Sequence, residues 1–279
     1  MSLEVNIKSA FYNSKPVLQN INFKVENGSI LAIVGESGAG KTTIAKIISG
    51  LYKFSNLRFD GFVKSDDEIG FIPQNVAESL DPLFTIKSQM MEIENDINSI
   101  KENLSKVGFK DVEKILISYP HNLSGGERQR VLIAMALLKS RTIIADEFTS
   151  ALDVNTQNLI INLLKKMNKE SSISIIFITH NIDMLVFNGN MLVLFGGKVM
   201  EYGDINEIKS NPYHPYTDFL INSSIHFGMH YKNNKLAELS IKESQGCKFV
   251  GICKKAKDIC YSEEPGLKNV NGRIVSCHF

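Results

Sequence analysis

No run of apolar residues approaches the roughly 18 needed to cross a membrane as a helix; the longest, Val131 to Leu138 and Ile173 to Ile178, suit a buried helix and a buried strand. Charge of one sign is not in excess either, since 31 Lys and Arg face 30 Asp and Glu for a net charge of +1. That balance removes the global basic field that drives nonspecific binding to nucleic acid or anionic lipid, so no nucleic-acid partner is expected and any membrane contact must come from shape. The opening Met1-Ser2-Leu3-Glu4-Val5 carries an early acid and lacks an apolar leader core, which makes a cytoplasmic location the expectation. Cysteine is absent until Cys247; it is followed only by Cys253, Cys260 and Cys277. In a reducing compartment these are metal ligands or spare thiols rather than disulfides.

What is present is the composition of a folded protein. With 279 residues, 43% hydrophobic and 22% charged, the chain suits one large α/β domain with an appendage, or two small domains. Leu3 to Ile7 alternates, Asn13-Ser14-Lys15-Pro16 interrupts, and Val17 to Val25 alternates again up to Asn27-Gly28, which predicts an N-terminal β subregion. Ile30 to Val34 is a continuous apolar run ending at glycine, as a parallel strand buried on both faces requires. Thr142 to Ala145 and Ile173 to Thr179 are similar, with helical patterns at Ser124 to Ser140 and Asn155 to Asn168. Strands alternating with helices predict a mostly parallel α/β sheet. Polar helical stretches such as Ile93 to Val107, broken by Gly108, form a helical insertion placed at about 85–140. From about Asp204 the pattern is interrupted by Pro212, Pro215, Gly228, Gly246 and Pro265, so the expected division is residues 1–203 and an extension, 204–279.

Gly35-Glu36-Ser37-Gly38-Ala39-Gly40-Lys41-Thr42 fits G-x-x-x-x-G-K-[ST], directly after the buried strand and before a helical pattern beginning at Thr43. Glycines let backbone N–H groups converge on phosphate oxygens, Lys41 supplies a cation for the β- and γ-phosphates, and the Thr42 hydroxyl suits Mg²⁺. Asp146 and Glu147 end the strand Thr142 to Ala145, at the sheet edge where α/β proteins hold ligands. Asp146 would join the Mg²⁺ shell and Glu147 would polarise a water for attack on the γ-phosphate; alone, the pair would equally be a solvated strand end. Leu123-Ser124-Gly125-Gly126-Glu127 precedes a strongly apolar helix, and by itself reads as an N-cap.

Taken in order, the phosphate loop, the LSGGE stretch, the strand ending in Asp-Glu, Ser150-Ala151-Leu152-Asp153 and Thr179-His180 resemble the nucleotide-binding subunit of an ABC transporter, over roughly residues 3 to 203. The resemblance implies an ABC-type P-loop NTPase core binding ATP and Mg²⁺. Gly35 to Thr42, with Thr43, become the Walker A loop, Asp146 and Glu147 the Walker B aspartate and catalytic glutamate, and Leu123 to Glu127 the signature. It further implies that Ser150 to Asp153 form the D-loop, His180 is the switch histidine, and Gln74 is the Q-loop glutamine and a Mg²⁺ ligand. Tyr12 matches the aromatic that stacks on adenine, with Phe11 competing for that role and a core strand position as the other reading. Two such domains close face to face, so a signature completes the partner's phosphate site. Glu127, Phe148 and Asn181 stand where Gln, Pro and Asp are commoner, and none removes a reacting group.

A narrower resemblance, to the ATPases of dipeptide, oligopeptide and nickel importers, rests on Gln74-Asn75, Ser79 to Ile86, Tyr119-Pro120-His121-Asn122 and His214-Pro215-Tyr216-Thr217. It implies a heterodimer with a second ATPase, two permease subunits, an extracytoplasmic solute-binding protein, and a peripheral place on the cytoplasmic face of the membrane. The cysteines, separated by five, six and sixteen residues, lack zinc-ribbon spacing; a [4Fe–4S] cluster, as in members of that family, Zn²⁺, or unmetallated thiols remain open. Two other classes stay in play: an ABC-type ATPase not tied to transport, and an ATPase gated by metal or redox state.

Overall fold

The computed structural model describes residues 3–148, 152–225 and 245–279. The chain forms two compact units: one of Met1–Glu4, Lys24–Ile30 and Lys64–Phe177, the other of Val5–Phe23, Leu31–Val63 and Ile178–Phe279.

In the first unit, β5 (Glu68–Ile72), β6 (Ser140–Asp146) and β7 (Ser174–Thr179) are sheet neighbours in that order. β5 and β6 run parallel, with Gly70 opposite Ile143 and Ile72 opposite Ala145. Thr142 to Asp146 and the whole of β7 are buried, which is why their sequences are continuous apolar runs. The helical insertion supplies α2 (Ile86–Met91), α3 (Ile97–Lys106) and α4 (Val112–Ile117), each N-capped by a side chain: Thr85, Asp96 and Asp111. They bury Ile86, Met90, Ile100, Leu104, Ile115 and Leu116. Gly108 follows α3 with φ 89°, a left-handed stop that glycine takes without a Cβ penalty.

The apolar helix expected from Ser124 to Ser140 is shorter. α5 spans Gly125–Ala136, because Ser140 already lies opposite Glu68 in the β5–β6 pairing and the chain must leave the helix to reach it. α6 (Val154–Ser171) runs past the expected Asn168 to a left-handed C-cap at Ser172, φ 51°.

In the second unit, β1 (Leu3–Tyr12) lies between β2 (Lys15–Val25) and β4 (Leu57–Ser65). The β2 pleat is interrupted at Asn20, φ 54°, so Leu18 and Ile21 share the buried face although they are not two apart. β4 escapes the sequence reading because only Leu57 in it is fully buried. β3 (Ile30–Val34) is buried throughout and pairs in parallel with β8 (Asn190–Phe195), Leu31 opposite Asn190 through Val34 opposite Val193. β8 turns through Gly196 and Gly197 into antiparallel β9 (Lys198–Asp204). α1 (Lys41–Ile48) follows the glycine loop.

Beyond β9 come α7 (Ile205–Ser210), capped by Asp204, then α8 (Pro215–Ile225), α9 (Asp258–Ser262), and a hairpin of β10 (Lys268–Val270) and β11 (Arg273–Val275). β11 pairs with β9, Ile274 opposite Tyr202, so the end of the chain extends the sheet that carries the glycine loop. A buried ion pair fastens this edge: Arg273 reaches Glu201 at 3.4 Å with 4% and 0% of the two side chains exposed, and the guanidinium lies 3.3 Å from the Tyr213 ring centre. Glu201 also accepts the backbone N–H groups of Tyr213 and His214, which supplies the hydrogen bonds a buried carboxylate needs.

Candidate functional site

Three glycines of the loop after β3 take backbone with positive φ: Gly35 at 157°, Gly38 at 82° and Gly40 at 103°. Gly35 is also forced by space, since a Cβ there would sit 2.2 Å from the Leu194 carbonyl; one on Gly40 would press on the end of the Leu18 side chain at 2.5 Å. Gly40 caps α1 and Lys41 opens it. Lys41 is 4% exposed, and its ammonium donates to the carbonyls of Gly35 at 2.8 Å and Glu36 at 3.0 Å, folding the loop over its own cation. Desolvation raises the Glu36 carboxyl above its ordinary range, partly offset by the Lys41 charge. Ser37, Gly38 and Thr42 are exposed around the N-terminus of α1, where backbone N–H groups lack intrahelical partners. Gly197 underpins the loop: its N–H donates to Ala39 at 3.2 Å, and a Cβ there would meet the Val17 carbonyl at 2.2 Å.

Tyr12 is half-buried at the end of β1 and Phe11 is 36% exposed. His180 is exposed just past β7, and the adjacent Asn181 caps the next turn through Asp183 N–H.

The first unit carries the carboxylates. Asp146 ends β6 and is 2% exposed. Glu147 follows with φ 44°, a left-handed conformation uncommon for a non-glycine residue. Its neighbours hold it there: Phe148 is buried against Phe177, ring centres 6.4 Å apart, and the Phe148 carbonyl accepts from the buried Gln129 amide. The aromatic at position 148 thus serves as a core anchor for the turn. Gln74 donates to the Glu147 carboxylate at 3.3 Å, bringing together two residues separated by 73 positions.

Ser124 is the N-cap of α5 and forms a reciprocal box with Glu127, whose carboxylate accepts the Ser124 N–H at 2.8 Å and hydroxyl at 2.7 Å. The Ser124 hydroxyl and N–H hold the Glu127 carboxyl below its usual range. A Cβ on Gly126 would lie 2.9 Å from Thr156, so that glycine lets α5 approach α6. Ser150 and Ala151 lie outside the described residues; Leu152 is half-buried, and Asp153 caps α6 through Thr156.

The four cysteines are not joined in disulfides, and all line one cavity of about 480 Å³, together with Tyr213, Phe249, Val275 and Phe279. Burial, then the neighbouring thiols, push Cys247 and Cys253 upward against hydrogen bonding from backbone. Among the described residues no three His, Cys, Asp or Glu side chains converge on a point that would hold a single metal ion.

Residues 18–150 match the family described as "ABC transporter", and residues 200–260 match "Oligopeptide/dipeptide transporter, C-terminal region". The oligopeptide transport ATP-binding protein AppD of Bacillus subtilis is 33% identical over 313 residues, covering 99% of this chain and 95% of the relative. This chain belongs to the ATP-binding subunits of ABC transporters. The dipeptide transport ATP-binding protein DppD of Escherichia coli is 32% identical over 297 residues, covering 94% of this chain and 90% of that one. A solved post-hydrolysis dimer of the ATP-binding cassette MJ0796, bound to ADP and Pi, superposes with a TM-score of 0.61 at 27% identity, over 74% of this chain and 99% of the cassette.

This ABC ATPase therefore binds ATP, hydrolyses it to ADP and phosphate, and supplies the energy of an importer; among the described residues no helix is long and apolar enough to cross a membrane. Sequence reading missed three residues that hold the Glu147 turn and the glycine loop: Gln129, Gly197 and Tyr216, whose hydroxyl accepts the Glu36 N–H. Gln129 lies in a helix and Gly197 in a turn, with no motif spacing to single them out. Tyr216 was visible only as part of a subfamily signature, without a role.

Proposed function

We propose that the protein energises import of short peptides, rather than nickel or a metal chelate. The supporting observation is the match of residues 200–260 to the oligopeptide/dipeptide C-terminal region, joined to 33% identity across nearly the whole of AppD. The working division is an ATPase module at 1–203 and an extension at 204–279.

In this reading the backbone N–H groups of Gly35 to Thr43 and the Lys41 ammonium hold the phosphates, and Tyr12 takes adenine. Thr42, Gln74 and Asp146 are the residues that would ligate Mg²⁺, which would neutralise charge on the phosphates. Glu147 accepts a proton from the attacking water, and the Gln74 amide aims its carboxylate. His180 meets the γ-phosphate. Leu123 to Glu127 present the N-terminus of α5 to nucleotide on a second ATPase, which is a different chain, and Ser150 to Asp153 are the D-loop. Two permeases and an extracytoplasmic binding protein complete the assembly, with this subunit peripheral on its cytoplasmic side.

The cysteine cavity is read as the site of an iron–sulfur cluster, with Zn²⁺ the alternative that thiolate ligands equally suit. The observation that supports it is that all four thiols line one cavity. Cys247, Cys253, Cys260 and Cys277 would bind the irons, and the cluster would brace the extension.

The test uses cells carrying either the native chain or Glu147→Gln as the sole copy, supplied with labelled dipeptide, labelled pentapeptide or labelled nickel. Peptide uptake should fall to background in the variant while nickel uptake does not differ. Loss of nickel uptake with peptide uptake intact would overturn the solute assignment.

A further inference from the structure

Tyr216 sits in the extension, far in sequence from the phosphate loop, yet its hydroxyl accepts the backbone N–H of Glu36 at 3.1 Å. The carbonyl at the other end of that same peptide unit, Gly35 C=O, accepts the Lys41 ammonium at 2.8 Å. A peptide unit is planar and its C=O and N–H point in opposite directions, so these two bonds grip it from both sides and prevent its rotation. The tyrosine is itself held firmly. It is fully buried, its ring centre lies 4.5 Å from Phe195 and 5.4 Å from Phe249, and its own N–H donates to His214 Nδ1 at 3.0 Å. His214 is in turn tied through its N–H to Glu201 at 3.0 Å. Burial raises the phenol above its ordinary range and lowers the imidazole to about 4, so both are neutral near pH 7. Phe249, which closes the ring cluster, also lines the cysteine cavity between Cys247 and Cys253.

We infer that Tyr216 is a positioning residue of the ATP site: its hydroxyl fixes the Gly35–Glu36 peptide and thereby the Lys41 ammonium, and Phe249 ties that hydroxyl to the wall of the cysteine cavity. The inference rests on Gly35 to Thr42 being the phosphate loop. A loop that binds phosphate through backbone N–H groups and one cation gains affinity by having both in place before the ligand arrives. A phenylalanine would fill the same space, so the hydroxyl's contribution is separable from packing.

The experiment is equilibrium titration of the full-length chain with Mg–ADP, alongside steady-state ATP hydrolysis by the assembled transporter. Tyr216→Phe should raise the ADP Kd and the KM for ATP together, by about three- to tenfold, the size of one hydrogen bond, with kcat within twofold. Its thermal midpoint should move by less than about 4 °C. Phe249→Leu keeps the hydroxyl but loosens its ring support, and should raise the same Kd about two- to threefold. Unchanged Kd and KM in Tyr216→Phe would overturn the positioning role; a changed Tyr216→Phe with an unchanged Phe249→Leu would overturn the tie to the cavity. Lys41→Ala separates this from the underlying assignment: if it still binds Mg–ADP normally, the phosphate-loop reading fails first.

Discussion

From Gly35 to Thr43 the phosphate loop draws nearly every group it needs from consecutive residues, whereas the cysteine cavity gathers thiols from two loops, a short helix and the chain end. Both lie in the same unit of the protein. In the proposed reading the loop acts through backbone N–H groups and one lysine, so its chemistry is local; its glycines take positive φ, and Gly35 also faces a close carbonyl. The cavity is lined by side chains carried on separate elements, and its shape depends on the long-range contacts that dock those elements. The difference shows that a site made of backbone is written as a contiguous motif, while a site made of side chains on distant elements is written as scattered residues.

The sharpest way to break this contrast is to cut a long-range anchor of the extension. Arg273→Ala would leave the Glu201 carboxylate buried beside two N–H groups without its cation, at a cost of about 3–5 kcal/mol in urea unfolding. A loss below about 1 kcal/mol would mean that the edge is held by something else. On the loop side, Lys41→Ala removes the one cation and should weaken Mg–ATP binding about a hundredfold, some 3 kcal/mol, while leaving the fold intact. Binding within threefold of the native protein would contradict the role given to the lysine.

The extension should also respond to pH through His214. His214, buried and neutral with its affinity for protons lowered to about 4 from an ordinary 6.5, binds fewer protons folded than unfolded between those values. Its contribution is therefore complete above about pH 6.5 and is lost as pH falls toward 4, amounting to about 2 kcal/mol by pH 5. His214→Asn, which keeps an acceptor for the Tyr216 N–H, should lessen the fall in melting temperature between pH 7 and pH 5. An equal fall in both proteins would remove His214 as the source. The smallest effect should be Gly38→Ala, about 1 kcal/mol, because φ is 82° but nothing lies within 4 Å of the added Cβ. A much larger cost would point to a neighbour that crowds the position.

The central strands, the glycine loop and the helix Asn155 to Asn168 were legible because their signals are short-range: continuous apolar runs, positive-φ glycines and helical periodicity. β4 was not, since its exposed face leaves no alternation, and α5 ended early because strand pairing at Ser140 outweighs the apolar run that continues through Leu138. The Ser124 cap was read from sequence, and its reciprocal bond with Glu127 follows the spacing of the capping box. The Gln74 to Glu147 contact was not readable as a contact, only as two motifs of one family.

Sequence alone determined the chemistry that runs along the chain: a phosphate loop in register with its strand and helix, a pair of carboxylates at a strand end, and enough similarity to known transport ATPases to assign the family. Tertiary structure decided which distant groups support that chemistry, the left-handed turn at Glu147 anchored by Phe148, the Gly197 turn beneath Ala39, and the tyrosine of the extension on the peptide of Glu36. The reason is the range of the forces involved. Backbone conformation is set by neighbours in the chain, but a hydrogen bond between positions 36 and 216 exists only once strands, helices and a ring cluster have packed the two together.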